Sequence, residues 1–227
     1  MQDINIKANL HSVLTNIPDG VDLVAVSKTH PIEMIKEAYQ AGQRKFGENK
    51  AQELILKAPQ LPDDIEWHFI GHLQTNKVRQ IIPWANLIHS VDSFKLLQEI
   101  SKEAVKANRT IGCLLQLYIA TEETKFGLDL KEAQELIGLF RTNQLRNVVI
   151  RGVMGMATNT EDEVLIASEF KALKSYFDEL KAEFFIEGDK FDTISMGMSS
   201  DYELAIACGS TMVRVGSLIF GARSYPV

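Results

Sequence analysis

Eight short apolar runs recur along the chain, and each is followed by a stretch whose apolar residues fall at helical spacing. The runs occupy residues 21–28, 44–46, 65–70, 87–91, 111–119, 148–153, 191–196 and 212–215. The first, Val-Asp-Leu-Val-Ala-Val-Ser-Lys, is β-branched and nearly continuous, as a fully buried strand is. Strand and helix in alternation imply a parallel sheet with right-handed crossovers. Eight such units in 227 residues suit a closed (β/α)8 barrel, whose usual size is about 250 residues with a lower range near 200. The alternative, a doubly wound open sheet, would usually carry a G-x-G-x-x-G turn after its first strand. Here that turn reads Ser27-Lys28-Thr29. The expectation is one α/β domain over residues 1–227, a TIM barrel preceded by a leading helix within residues 3–16.

Local signals refine the boundaries. Pro31 suits the first turn of a helix that ends near Gly42. The turn Gly47-Glu48-Asn49 opens another, closed by Pro59 and Pro62. Thr75 or Asn76 is expected to cap the helix after the third strand, and Asp92-Ser93 the one after the fourth. The fifth strand is expected to be the longest, and a polar loop follows it over residues 121–127. Capping-box spacing occurs at Asp129 and Glu132, Thr160 and Glu163, and Ser200 and Glu203.

Composition excludes several function classes. A net charge of −6 argues against general nucleic-acid binding. No basic segment followed by an apolar run opens the chain, and no apolar stretch reaches membrane-spanning length. Cys113 and Cys208 each lie in an apolar run and read as buried hydrophobes, which suits a reducing cytoplasm.

In a barrel of this kind, function sits at the C-terminal ends of the strands. Lys28 ends the first strand on the side of Val24 and Val26. An amine at the mouth of a cavity tends to lose its proton and can form a Schiff base with an aldehyde. The loops after strands seven and eight, Gly197-Met198-Ser199-Ser200 and Gly216-Ser217, lead straight into helices. Barrels often hold a phosphate there, although Asp201 and Glu203 crowd one helix start with negative charge. Arg214 lies inside an apolar strand and needs a partner, either a carboxylate of a neighbouring strand or a ligand atom. A lysine, a phosphate cradle and a buried arginine together describe a site for pyridoxal 5′-phosphate. His68 and His72 are four apart but lack a third ligand in register, so no metal is expected.

These residues resemble those of a known family. Ala25-Val26-Ser27-Lys28, Phe46-Gly47-Glu48-Asn49, Trp67-His68-Phe69-Ile70-Gly71-His72-Leu73-Gln74-Thr75-Asn76-Lys77, Lys125-Phe126-Gly127, Arg151-Gly152-Val153-Met154, Ser195-Met196-Gly197-Met198-Ser199-Ser200-Asp201, and Val213-Arg214-Val215-Gly216 with Ile219-Phe220-Gly221 follow one another through nearly the whole chain. The pattern is similar to that of the YggS/PROSC family of pyridoxal phosphate homeostasis proteins. The resemblance implies a barrel like the N-terminal domain of alanine racemase, with the cofactor bound and no established turnover. It implies that Lys28 holds the cofactor, that Asn49 lies beside its ring, and that Arg214 meets the ring nitrogen. Ser199, Ser200, Gly216 and Ser217 would take the phosphate. Lys50 and Tyr118 depart from the family pattern near the rim.

Three functions compete on this reading. The first is a cytoplasmic, monomeric carrier that exchanges pyridoxal phosphate with apo-enzymes dependent on it, with no nucleic acid or membrane as partner. The second is a racemase or decarboxylase on the same barrel. The third is a Schiff-base aldolase that uses Lys28 without a cofactor. The chain ends six residues after Gly221, so no second domain is expected to supply an acid–base group above the cofactor.

Overall fold

The computed structural model describes residues 4–120 and 127–222. Eight parallel strands close into a barrel in sequence order: β1 Asp22–Val26, β2 Lys45–Glu48, β3 Glu66–Phe69, β4 Ala85–Val91, β5 Ile111–Gln116, β6 Val148–Met154, β7 Thr193–Ser195 and β8 Met212–Val215. The open-sheet alternative is thereby excluded. Closure runs through β1 and β8, where Asp22 faces Met212 and Val24 faces Arg214.

Helices α1 Ile6–Thr15, α2 Ile32–Gln40, α3 Ala51–Lys57, α4 Val78–Ile81, α5 Phe94–Lys106, α6 Leu130–Thr142, α7 Glu163–Phe184, α8 Tyr202–Ala207 and α9 Ser217–Phe220 surround the barrel or precede it. Their apolar faces pack on the outward side chains of the strands to form the main core. Leu96, Leu97, Ile100 and Ala104 of α5, for example, are buried. A smaller apolar layer fills the barrel itself, made by Val24, Leu87, Leu114, Met154 and Met212. Side chains alternate across a strand, so Arg214 lies on the inward side with Met212 and one step nearer the C-terminal mouth. The leading helix braces the last one, since Asn9 Nδ2 donates to the Ile219 carbonyl at 3.1 Å.

Several boundaries differ from the sequence expectation. β5 stops at Gln116, so β4 and β6, with seven residues each, are longer. Leu117 leaves the ladder to bridge to Leu128. Neither Thr75 nor Asn76 caps α4; a single 3-10 turn over Thr75–Lys77 leads into it without a side-chain cap. The cap of α7 is Asp162, whose carboxylate accepts from the Val164 and Leu165 N–H groups, and Thr160 instead accepts from Asp162 N. Ser200 and Glu203 form no capping box either, because the cap position of α8 is Asp201, one residue later, and it makes no side-chain cap. The Asp201 carboxylate instead accepts from the Met198 N–H in its own loop. The Asp129–Glu132 capping box and the Ser93 cap form as expected. The polar loop after β5, Lys125 included, lies almost wholly outside the described residues.

Among the described residues, no helix is long and apolar enough to cross a membrane. Neither cysteine is in a disulfide. Cys113 is buried, and burial pushes its thiol up to about 12, while Cys208 is only half-buried.

Candidate functional site

The sequence places Lys28 two residues beyond the end of β1, because the strand stops at Val26. The chain turns sharply here. Thr29 adopts φ +67°, a left-handed conformation that costs a non-glycine residue about 1–3 kcal/mol. A buried polar cluster holds the turn from behind. Ser27 Oγ donates to Glu48 Oε1 at 2.7 Å. Lys57 Nζ donates to the same oxygen at 2.8 Å, to Glu53 Oε2 at 2.8 Å and to the Ser27 carbonyl at 3.0 Å. The Thr29 N–H donates to Glu53 Oε2 at 2.6 Å. The residues on both sides of Lys28 are therefore tied to one charged cluster at the root of α3.

Electrostatically the cluster is unusual. Burial pushes the Glu48 carboxyl up to about 7, against the opposing pull of Lys57. Its second oxygen, Oε2, is buried and has no hydrogen-bond partner among the described residues. Sequence reasoning missed this cluster. Its signal was present in the Gly-Glu-Asn turn, where a carboxylate ends a strand walled in on both faces. Nothing in the sequence sets Lys57 apart from the other helix lysines.

Lys28 and Val26 border a cavity of about 330 Å³ at the C-terminal mouth of the barrel, shared with Ser199, Ser200, Arg214, Gly216 and Ser217. Six of the seven expected site residues thus meet in one place. The seventh, Asn49, borders a separate groove of about 180 Å³ with Lys50 and His72. Its Oδ1 is buried without a partner among the described residues. Sequence reasoning did not foresee His30, Ile70 and Leu218, which also border the main cavity.

The loops that carry the serines are built for close approach. Gly197 takes φ +95°, and a Cβ there would lie 2.6 Å from that of Ala205. A Cβ on Gly216 would lie 3.1 Å from the Val26 carbonyl oxygen. The Gly216 N–H donates to Ser199 Oγ at 3.1 Å, which joins the loops after β7 and β8. The two carboxylates that threatened an anion site are engaged elsewhere. Asp201 accepts from Met198 N, and Glu203 accepts from Tyr202 Oη at 2.9 Å and Asn16 Nδ2 at 3.3 Å.

Arg214 is 5% exposed and finds no carboxylate partner among the described residues. Its guanidinium donates to the Ser195 carbonyl (2.8 Å), to Ser195 Oγ (2.7 Å) and to the Gly155 carbonyl (3.2 Å). Burial brings it down to about 10, opposed by Asp201, so it stays charged at neutral pH. The described lining of the cavity therefore offers an amine, a guanidinium, hydroxyls and backbone N–H groups, and no carboxylate. Such a donor set fits an anion that also carries a group reactive toward an amine. His68 and His72 do not converge on a metal: His68 lies inside the barrel, whereas His72 sits outside with Nδ1 3.5 Å from Asp92.

Comparisons with known proteins agree with this geometry. The family described as "Alanine racemase, N-terminal domain" matches residues 4–224. The pyridoxal phosphate homeostasis protein of Vibrio alginolyticus is 41% identical over 213 residues, which is 92% of this chain and 89% of that protein. The structure of PipY from Synechococcus elongatus PCC7942 without PLP superposes with a TM-score of 0.89 at 37% identity, over 96% of this chain and all of PipY. The same protein with PLP bound gives a TM-score of 0.85. Alanine racemase from E. faecalis shares the fold, with a TM-score of 0.72 at 16% identity, over 96% of this chain and 57% of the enzyme. The chain belongs to the family of the alanine racemase N-terminal domain and, within it, to the pyridoxal phosphate homeostasis proteins.

Proposed function

We propose that the chain binds pyridoxal 5′-phosphate and serves homeostasis of that cofactor as a carrier rather than as a catalyst. The observation that carries this reading is the single cavity bordered by Lys28, Arg214, Ser199, Ser200, Gly216 and Ser217. The Lys28 amine condenses with the cofactor's aldehyde as a Schiff base. The Ser199, Ser200 and Ser217 hydroxyls and the backbone at Gly216 take its phosphate, where no side chain stands between ligand and backbone. Arg214 donates to the ring nitrogen, and Asn49 lies beside the ring from the neighbouring groove. When bound, the cofactor supplies a reactive aldehyde and an electron-withdrawing ring.

A guanidinium stays protonated, so it favours an unprotonated ring nitrogen and a weaker electron sink. Ser200, Ser217 and Leu218 are exposed at the mouth, which leaves a bound group within reach of a second protein. That suits exchange with pyridoxal phosphate-dependent apo-enzymes by a monomer. The two unpaired cysteines suit a cytoplasmic setting.

The test is the visible spectrum of the purified protein before and after borohydride, followed by peptide mapping. The expected adduct is on Lys28; an adduct on Lys77 or Lys125 would overturn the assignment. Exchange of amino-acid α-protons in deuterium oxide separates carrier from catalyst. Saturable exchange at ordinary enzymatic rates, lost in Lys28→Ala, would make the chain an enzyme.

A further inference from the structure

Behind Arg214 the barrel holds a row of polar groups that do not border the cavity. Arg214 Nη1 donates to Ser195 Oγ at 2.7 Å. Ser195 Oγ lies 3.0 Å from His89 Nδ1, and His89 Nε2 lies 3.0 Å from His68 Nδ1. All four residues are buried. Strand alternation puts them inside the barrel, since His89 shares a face with Leu87, and Arg214 with Met212. The row ends at His68, which borders a second cavity of about 270 Å³ at the N-terminal ends of the strands.

Polar groups buried in an apolar interior are costly unless each donor meets an acceptor. That requirement fixes the protons. A guanidinium only donates, so Ser195 Oγ accepts from Arg214. Both histidines are neutral: burial drives His68 down to about 3, and burial, His68 and Arg214 hold His89 well below the ordinary range. Suppose His89 Nδ1 carried its proton and donated to Ser195. The serine hydroxyl would then accept twice, and the structure gives its own proton no other acceptor among the described residues. The arrangement without an orphan has Ser195 Oγ–H donating to His89 Nδ1 and His89 Nε2–H donating to His68 Nδ1.

We infer that His89, backed by His68, is a positioning residue for the cofactor ring: by accepting the Ser195 proton, it leaves the serine lone pair to hold Arg214. The inference rests on the cofactor reading above, because it concerns the contact between Arg214 and the ring nitrogen. His89 touches no ligand and acts through Ser195.

Two measurements test it. Long-range proton–nitrogen-15 spectra of the cofactor-free protein should show His68 and His89 as neutral Nε2–H tautomers that do not titrate near the usual histidine value of about 6.5. A proton on His89 Nδ1, or titration of either ring near that value, would overturn the inference without any variant. In the loaded protein, His89→Leu should move the pH midpoint of the cofactor's visible band by about one unit or more, because the ring nitrogen loses a fixed donor. His89→Gln should restore the midpoint, since its amide can accept from Ser195 and donate to His68. Ser195→Ala should match His89→Leu. Unchanged midpoints in both His89→Leu and Ser195→Ala would refute the positioning role. A wild-type protein that binds no pyridoxal phosphate would refute the functional reading, while the tautomer measurement would still decide the proton arrangement.

Discussion

Lys57 Nζ lies 2.8 Å from Glu48 Oε1, and the same ammonium donates to the carbonyl of Ser27, the residue before Lys28. The ion pair is nearly closed to solvent, with side chains 10% and 0% exposed. A buried pair is costly to break from one side, because the remaining charge has no partner. Lys57→Met should therefore destabilise the fold by about 3–5 kcal/mol above pH 7. The loss should shrink at lower pH, where Glu48 takes up a proton. Denaturant melts at several pH values would check this, and a loss independent of pH would point to packing alone.

The Glu48 carboxyl makes a prediction of opposite sense to the usual carboxylate. Its folded value, about 7, lies above the ordinary 4.5. The folded protein thus binds more protons than the unfolded chain between these values, and stability falls as pH rises through them. The contribution is fully present below 4.5 and lost above about 7. Glu48→Gln should remove it, so the stability difference between wild type and variant should change by on the order of 3 kcal/mol across that window. Parallel melting curves over the whole range would show that Glu48 does not titrate there.

Lys28→Ala should abolish the visible band and leave the fold intact. The turn is held through Ser27 and Thr29, which bond to Lys57 and Glu53. Circular dichroism and melts should therefore stay within about 1 kcal/mol of wild type. A collapse of stability would assign Lys28 a structural role instead.

Pyridoxal lacking the phosphate should bind about a hundredfold more weakly than pyridoxal phosphate, or worse. Hydrogen bonds to a charged group are worth about 1.5–3 kcal/mol each, and at least two would be lost. Gly216→Val should weaken the phosphorylated form most, because its Cβ would stand 3.1 Å from the Val26 carbonyl and crowd the cradle. Equal affinities for the two ligands in a titration would remove the cradle from the site.

The sequence by itself determined the eightfold alternation, the place of every strand to within a few residues, and most of the residues at the barrel mouth. Those features are local. Apolar runs, helical spacing and Gly-Ser turns are readable within a short window, and the barrel's closure then brings Lys28, Ser199 and Arg214 to one rim. Two capping boxes, at Thr160 and at Ser200, were misread because the cap position of each helix falls on a nearby aspartate, Asp162 or Asp201, and loop geometry rather than residue spacing decides which residue stands there. Only the tertiary structure decided which charges are paired. Arg214 carried a signal in sequence as a cation in an apolar strand, but not its partners: Ser195 is 19 positions away, and His89 stands a further 106 from Ser195. Lys57 and Ser27 likewise lie 30 positions apart and meet because α3, which ends at Lys57, packs beside the C-terminal ends of β1 and β2. Burial turns these ordinary side chains into a neutral histidine pair and a carboxyl that titrates near 7, and burial belongs to the closed barrel rather than to any segment of it.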